Sequence, residues 1–153
     1  MHPGSLYGLD FAQMNEHILW NNIRSTLNTL GFATRIENTA ATSLPDIMFL
    51  TDGTVALIEL KIERANIIRF NKYQWAFNVK LLNYLDNDQL LVLVSKDDGL
   101  YMYQFFDMLK QSKPHNNMVI VSTKELPVSI KLETYDHWKQ WCNALTHGDQ
   151  SVG

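Results

Sequence analysis

Thr51-Asp52-Gly53-Thr54 separates two short apolar runs, and no other tetrapeptide constrains this chain as strongly. Asp-Gly readily takes the positive φ angles of a type I′ turn, whose twist matches two antiparallel strands. With Asp52 and Gly53 as the turn residues, a strand over 47–50 pairs with one over 55–62. Leu50 then opposes Val55, Met48 opposes Leu57, and Asp46 opposes Glu59. Opposed residues point to one face with Cβ atoms about 4.5–5.5 Å apart. Lys61, two residues beyond Glu59, joins them on that face.

The two faces of this hairpin differ in kind. One carries Ile47, Phe49, Ala56, Ile58, Leu60 and Ile62, all apolar. The other carries Met48, Leu50, Val55 and Leu57 and then changes abruptly to Asp46, Glu59 and Lys61. Apolar residues on both faces near the turn predict a strand pair covered on both sides. Charges at its far end are costly unless they are paired or bind a metal, and opposed carboxylates repel one another. A divalent cation with a preference for hard oxygen ligands, Mg²⁺ or Mn²⁺, resolves the conflict. Neutralisation of one carboxylate by Lys61 at a solvated sheet end resolves it as well.

Around the hairpin, strands and helices alternate. Leu19, Trp20, Ile23, Leu27 and Leu30 recur at helical spacing and predict a helix over 13–30, with Gly31 where a C-terminal cap belongs. A strand over 33–37, a loop over 38–44, a second long helix over 67–85, strands over 90–95 and 100–104, a helical segment over 105–111, a strand over 118–122 and a last helix over 135–146 complete the reading. Such a mixture predicts a three-layer α/β/α domain with a central mixed sheet. At 153 residues one domain is expected over 1–153, with 1–10 an arm and 147–153 a frayed tail. Cys142 is the single cysteine, which excludes an internal disulfide and a cysteine zinc cluster and fits a reducing, cytoplasmic setting. There is no apolar run of the roughly 18 residues that a membrane span requires, and no secretory signal pattern. The net charge of −3 means that any nucleic-acid binding has to come from a local basic patch.

Pro45-Asp46, a short spacer and Glu59-Leu60-Lys61 resemble the PD-(D/E)XK nuclease signature. An acid on the preceding helix, Glu16, and a glutamine on the following one, Gln74, complete an order that is similar to the VRR-NUC and archaeal-type Holliday junction resolvase branch. The resemblance spans roughly residues 14–104. It implies a restriction-endonuclease-like core and metal-dependent hydrolysis of phosphodiester bonds in DNA, with branched DNA as a substrate. Asp46, Glu59 and the backbone carbonyl of Leu60 would hold Mg²⁺ or Mn²⁺, and Glu16 a second ion or the first ion's water. Lys61 would position the attacking water or offset charge at phosphorus, and Gln74 would orient these groups.

Two of these residues also stand out by position. Glu16 begins the buried stripe of its helix, with the apolar residues at offsets of 3, 4, 7, 11 and 14 from it; a helix start also favours acids through the dipole. Gln74 interrupts a stripe of Phe70, Phe77, Leu81 and Leu85, as a bonded buried amide or as one at the stripe's edge. Arg64, Arg69, Lys72 and Lys80 form, with Lys61, the densest basic region, either a phosphate-binding surface or a solvated helix face. Tyr73 and Trp75 can stack on bases, although at least one of them is expected in the core. The histidines are scattered, and His17 reads as a surface residue. A homodimer would suit paired cuts in a two-fold junction, with strand 100–104 and Trp138, Trp141 and Leu145 as interface material. The rival readings are a nucleic-acid-binding relative without catalysis and an interaction protein.

Overall fold

The computed structural model describes residues 11–36, 43–127 and 130–147. The expected arm at 1–10, most of the loop at 38–44 and all of the expected tail beyond residue 147 lie outside them. Nine strands and three α-helices follow in order: α1 (Glu16–Leu30), β1 (Phe32–Arg35), β2 (Ile47–Thr51), β3 (Thr54–Ile62), β4 (Ile67–Asn71), α2 (Lys72–Leu81), β5 (Leu90–Lys96), β6 (Gly99–Gln104), β7 (Ser112–His115), β8 (Met118–Ser122), β9 (Ile130–Lys131) and α3 (Tyr135–His147).

The turn behaves as its chemistry demands. Asp52 and Gly53 have φ of 44° and 78°, and Thr51 pairs with Thr54, Leu50 with Val55, Met48 with Leu57 and Ile47 with Ile58. β2 and β3 belong to a six-stranded mixed sheet of order β1-β2-β3-β5-β6-β9. Within it β3 and β5 run parallel, placing Glu59 beside Val92 and Lys61 beside Val94. One face of this sheet, with Ile58, Leu60, Leu91 and Leu93, packs against Leu19, Ile23 and Leu27 of α1 and Trp138 and Trp141 of α3. The opposite face, with Val92, Val94 and Tyr103, packs against Ile68, Phe70 and Trp75. The fold is therefore α/β in layers about a central mixed sheet. On the second side, however, α2 shares its layer with a three-stranded antiparallel sheet of order β4-β8-β7.

That small sheet corrects the expected helix over 67–85. Ile68 and Phe70 are buried while Arg69 between them is exposed, the two-residue period of a strand. β4 pairs with β8 through Ile68–Val121 and Phe70–Val119, and a helix begins only at Lys72. Its start is set by a capping box: the Gln74 N–H donates to Asn71 Oδ1 at 2.8 Å and the Asn71 N–H to Gln74 Oε1 at 3.2 Å. β7 was not expected, because Pro114 interrupts it. An edge position tolerates proline, and Asn116 and Asn117, with φ of 47° and 62°, turn the chain into β8. Residues 105–111 form a 3₁₀ rather than an α-helix.

Cover on both sides of the hairpin holds for β3 but not near the turn, where Leu50 is 39% exposed and its β1 neighbour Phe32 55%. Most of the expected interface material is also spent elsewhere. Leu100, Met102, Tyr103, Trp138, Trp141 and Leu145 are all buried within the two cores, so these side chains complete the monomer, while Tyr101 and Gln104 of the same strand are half-buried. Trp75 is half-buried and packs against the second core, edge-on to Phe70 at 5.2 Å and Phe105 at 4.8 Å, whereas Tyr73 is 62% exposed. Among the described residues no helix is long and apolar enough to cross a membrane.

Gly31 ends α1, its N–H donating to the Leu27 carbonyl. Its φ of −176° is extended, so left-handed backbone is not why glycine stands there. A Cβ would lie 2.4 Å from the Leu50 carbonyl oxygen and 2.9 Å from the Phe49 ring. Gly31→Ala is therefore expected to destabilise the fold by about 1–3 kcal/mol, the range of an overpacked core. A chemical denaturation midpoint unchanged from wild type would refute this close approach.

Candidate functional site

Asn15 caps α1, its side chain accepting the Ile18 N–H at 2.9 Å, and so makes Glu16 the first helical residue. Arg64, just beyond β3, bonds the Phe11 and Met14 carbonyls at 3.2 and 3.0 Å and lies over the Phe11 ring. It ties the start of α1 to the strand that carries Glu59. Asp46 closes the group from the opposite side. Its backbone carbonyl accepts the Ile36 N–H at 2.7 Å, and its Oδ2 accepts the Leu60 N–H at 2.7 Å. The side chain thus extends the β2–β3 ladder by one step past the Ile47–Ile58 pair.

Glu16, Asp46 and Glu59 converge so that one carboxylate oxygen of each lies within 4.8 Å of the others. Glu59 is 1% exposed. Its Oε2 accepts from Gln74 Nε2 at 3.3 Å and lies 3.8 Å from Lys61 Nζ. Its Oε1 is buried without a hydrogen-bond partner. Lys61 Nζ donates to Gln74 Oε1 at 3.2 Å and sits 4.6 Å from the centre of the Phe70 ring. Gln74 is the hub: one amide group serves the Lys61 ammonium, the Glu59 carboxylate and the cap of its own helix. It reaches the site from the first turn of α2 and not from the middle of a long helix.

Burial raises the Glu59 pKa well above the ordinary 4.5, and the neighbouring Asp46 charge adds to it. Burial also raises Glu16, again reinforced by Asp46. Three acids around one buried, unbonded oxygen fit a divalent cation with oxygen ligands, because the cation would satisfy that oxygen and reverse the mutual repulsion. Lys61 supplies one positive charge at one side of the cluster, too little for three carboxylates.

A pH dependence follows. A carboxyl group whose folded pKa is raised stabilises the fold fully below its unfolded pKa, and that stabilisation is lost as pH rises through the folded value. Metal-free protein is therefore expected to lose thermal stability as pH rises from about 4.5 through the raised values of Glu59 and Glu16. Glu59→Gln should flatten the profile and melt higher than wild type at neutral pH. Parallel melting profiles for the two proteins would contradict it.

Of the basic residues expected near the site, Arg64 is engaged with backbone carbonyls. Arg69 is exposed on β4, on the face away from the buried Phe70, and Lys72 and Lys80 are exposed on α2. Among the described residues none of these four forms an ion pair with Glu16, Asp46 or Glu59. Sequence reasoning missed Arg35, whose charge opposes the rise in the Glu16 pKa. Its Nη1 lies 3.4 Å from His17 Nδ1, and His17 is exposed as expected. What brings it there is the β1–β2 ladder, in which Arg35 pairs with Ile47, next to Asp46.

A second buried acid, Glu63, is held apart from the three. Thr123 Oγ1 donates to it, and Lys96 Nζ lies 3.4 Å away.

No family model matches the sequence, and no curated protein matches it. Among solved structures the chain is similar to Hjc, a Holliday junction resolvase of Archaeoglobus fulgidus. The identity is 12% and the TM-score 0.46, over 70% of this chain and 87% of that one.

Proposed function

We propose that this chain is a divalent-metal-dependent nuclease of the PD-(D/E)XK type that hydrolyses phosphodiester bonds in DNA. The observation that carries the reading is the convergence of Glu16, Asp46 and Glu59 about a buried, unbonded Glu59 oxygen, with the buried Lys61 ammonium alongside. Asp46, Glu59 and the Leu60 carbonyl are the residues to hold Mg²⁺ or Mn²⁺, with Glu16 completing the shell or supporting a second ion. A divalent ion there supplies an activated water and Lewis-acid polarisation of the phosphoryl group.

The chain's own residues do the rest. Asp46 is fixed by the Leu60 N–H, so its carboxylate is held toward Glu59 and Glu16 before any ion arrives. Gln74 holds Glu59 from one side and Lys61 from the other, which orients both before substrate arrives. Lys61, its ammonium lying over the Phe70 ring, keeps a positive charge where negative charge builds at phosphorus. In a site from which water is largely excluded such a charge acts strongly.

Branched DNA is the finer part of the reading and rests on the motif order. Two symmetric cuts across a four-way junction require two sites related by a two-fold axis, so a homodimer belongs to the same proposal. The deciding experiment is cleavage of duplex, single-stranded, flapped and four-way DNA with Mg²⁺ and with Mn²⁺, alongside light scattering. No metal-dependent cleavage of any substrate would overturn the nuclease. Cleavage by a monomer without preference for four-way DNA would overturn only the branched-substrate reading.

A further inference from the structure

The outer face of the small sheet carries charge that the carboxylate site does not use. Neighbouring residues of a strand point to opposite faces. Phe70 is directed inward, beneath Lys61, and Arg69 outward. Arg69 pairs with Ile120 of β8, and Ile120 with Lys113 of β7, so Arg69 and Lys113 flank one row on the outer face. A groove of about 560 Å³ opens beside this row. Lys110, Lys113 and Lys124 line it, with Asn66, Gln111 and Ser122 between them and Glu125 as its one carboxylate. Lys61, Lys96, Lys131 and Lys139 have carboxylate partners. Among the described residues Arg69, Lys110, Lys113 and Lys124 are in no ion pair. Four cations against the one carboxylate of Glu125 leave this face net positive on a chain of net charge −3, a local attraction for a polyanion that the whole molecule lacks.

We propose that this groove binds the phosphate backbone of a nucleic acid, as a positioning surface separate from the carboxylate cluster. The proposal rests on the nuclease reading for its choice of polyanion. The lining supports that choice: phosphate contacts are made by Lys and Arg together with Ser, Asn and Gln side chains, and this groove offers that mixture in a concave site. The polyanion crosses the outer side of β4 while Phe70, on the inner side of the same strand, supports Lys61. Contact here fixes where along the nucleic acid the site acts and carries no sequence information.

The test is equilibrium binding of a fluorescent DNA duplex, without metal, across a series of salt concentrations. Wild type is compared with the triple variant Lys110→Gln, Lys113→Gln, Lys124→Gln and with the triple Lys→Arg variant at the same positions. All three lysines are exposed, and circular dichroism checks that each variant folds. The Gln variant is expected to lose about tenfold or more in affinity, and the slope of log affinity against log salt should fall by about 2.7, three phosphate contacts' worth of counterion release. The Arg variant should bind as wild type does. Unchanged affinity and slope in the Gln variant would overturn the proposal, as would lysine-dependent binding to anionic lipid vesicles with none to DNA. Lysine-dependent DNA binding without any metal-dependent cleavage would leave the groove standing and remove the nuclease. Cleavage with lysine-independent binding would do the reverse.

Discussion

Asp46→Asn and Glu59→Gln are each expected to reduce metal-dependent cleavage by more than about 10³-fold, beyond the loss of a single electrostatic donor, while the protein stays folded. The two side chains are set by different parts of one ladder. Asp46 is locked by the Leu60 N–H at 2.7 Å, and Glu59 is buried with one oxygen bonded to Gln74 and the other unbonded. Each amide keeps the shape of its acid and removes a charge that the cation needs. Removing that charge also relieves repulsion within the cluster, so the metal-free variant should not be less stable than wild type. Metal affinity measured by calorimetry should fall with activity. Full cleavage by either variant at saturating Mg²⁺ would remove these residues from the site.

Lys61→Met is expected to lower the rate by about 10²–10³-fold, the scale for one transition-state electrostatic group, with metal binding retained. Methionine is chosen because Lys61 is buried, and an unbranched chain of similar length fills its place where alanine would leave a gap. The Gln74 amide then loses its Lys61 partner but still holds Glu59 and caps α2. Loss of metal binding together with an unchanged rate would show that Lys61 organises the acids and has no part in the chemistry.

Much of this site was legible along the chain because a two-residue turn is a local device. Asp52 and Gly53 need only their own φ angles to fix register, and register alone sets Asp46 opposite Glu59 with Lys61 on the same face. The α1 stripe was equally local, and it placed Glu16 at the head of a buried row. The error over 67–85 has the opposite origin. Phe70, Gln74, Phe77 and Leu81 are spaced as a helix would space them, yet Phe70 belongs to a strand. What decides is β8, some 50 residues on, whose Val119 and Val121 pair with Phe70 and Ile68; pairing of that range is invisible to a local period.

The helical stripe through Phe70 is consequently not what brings Gln74 to the site, although a following helix does carry it. It arrives there because the β4-to-α2 junction needs a capping box, and the capping glutamine happens to lie above β3. The same dependence on distant pairing governs Arg35, brought beside the acids by the β1–β2 ladder, and the cationic groove, whose residues come from β4, β7, β8 and the turns around them. A hairpin with two acids and a lysine on one face can be read from local order alone, because turn geometry and strand alternation act over a few residues. That Glu16 and Gln74 actually meet these groups, and that a cationic face forms on the outer side of the small sheet, depends on the tertiary structure, because those contacts exist only once separate strands have paired and α1 and α2 have docked on the central sheet.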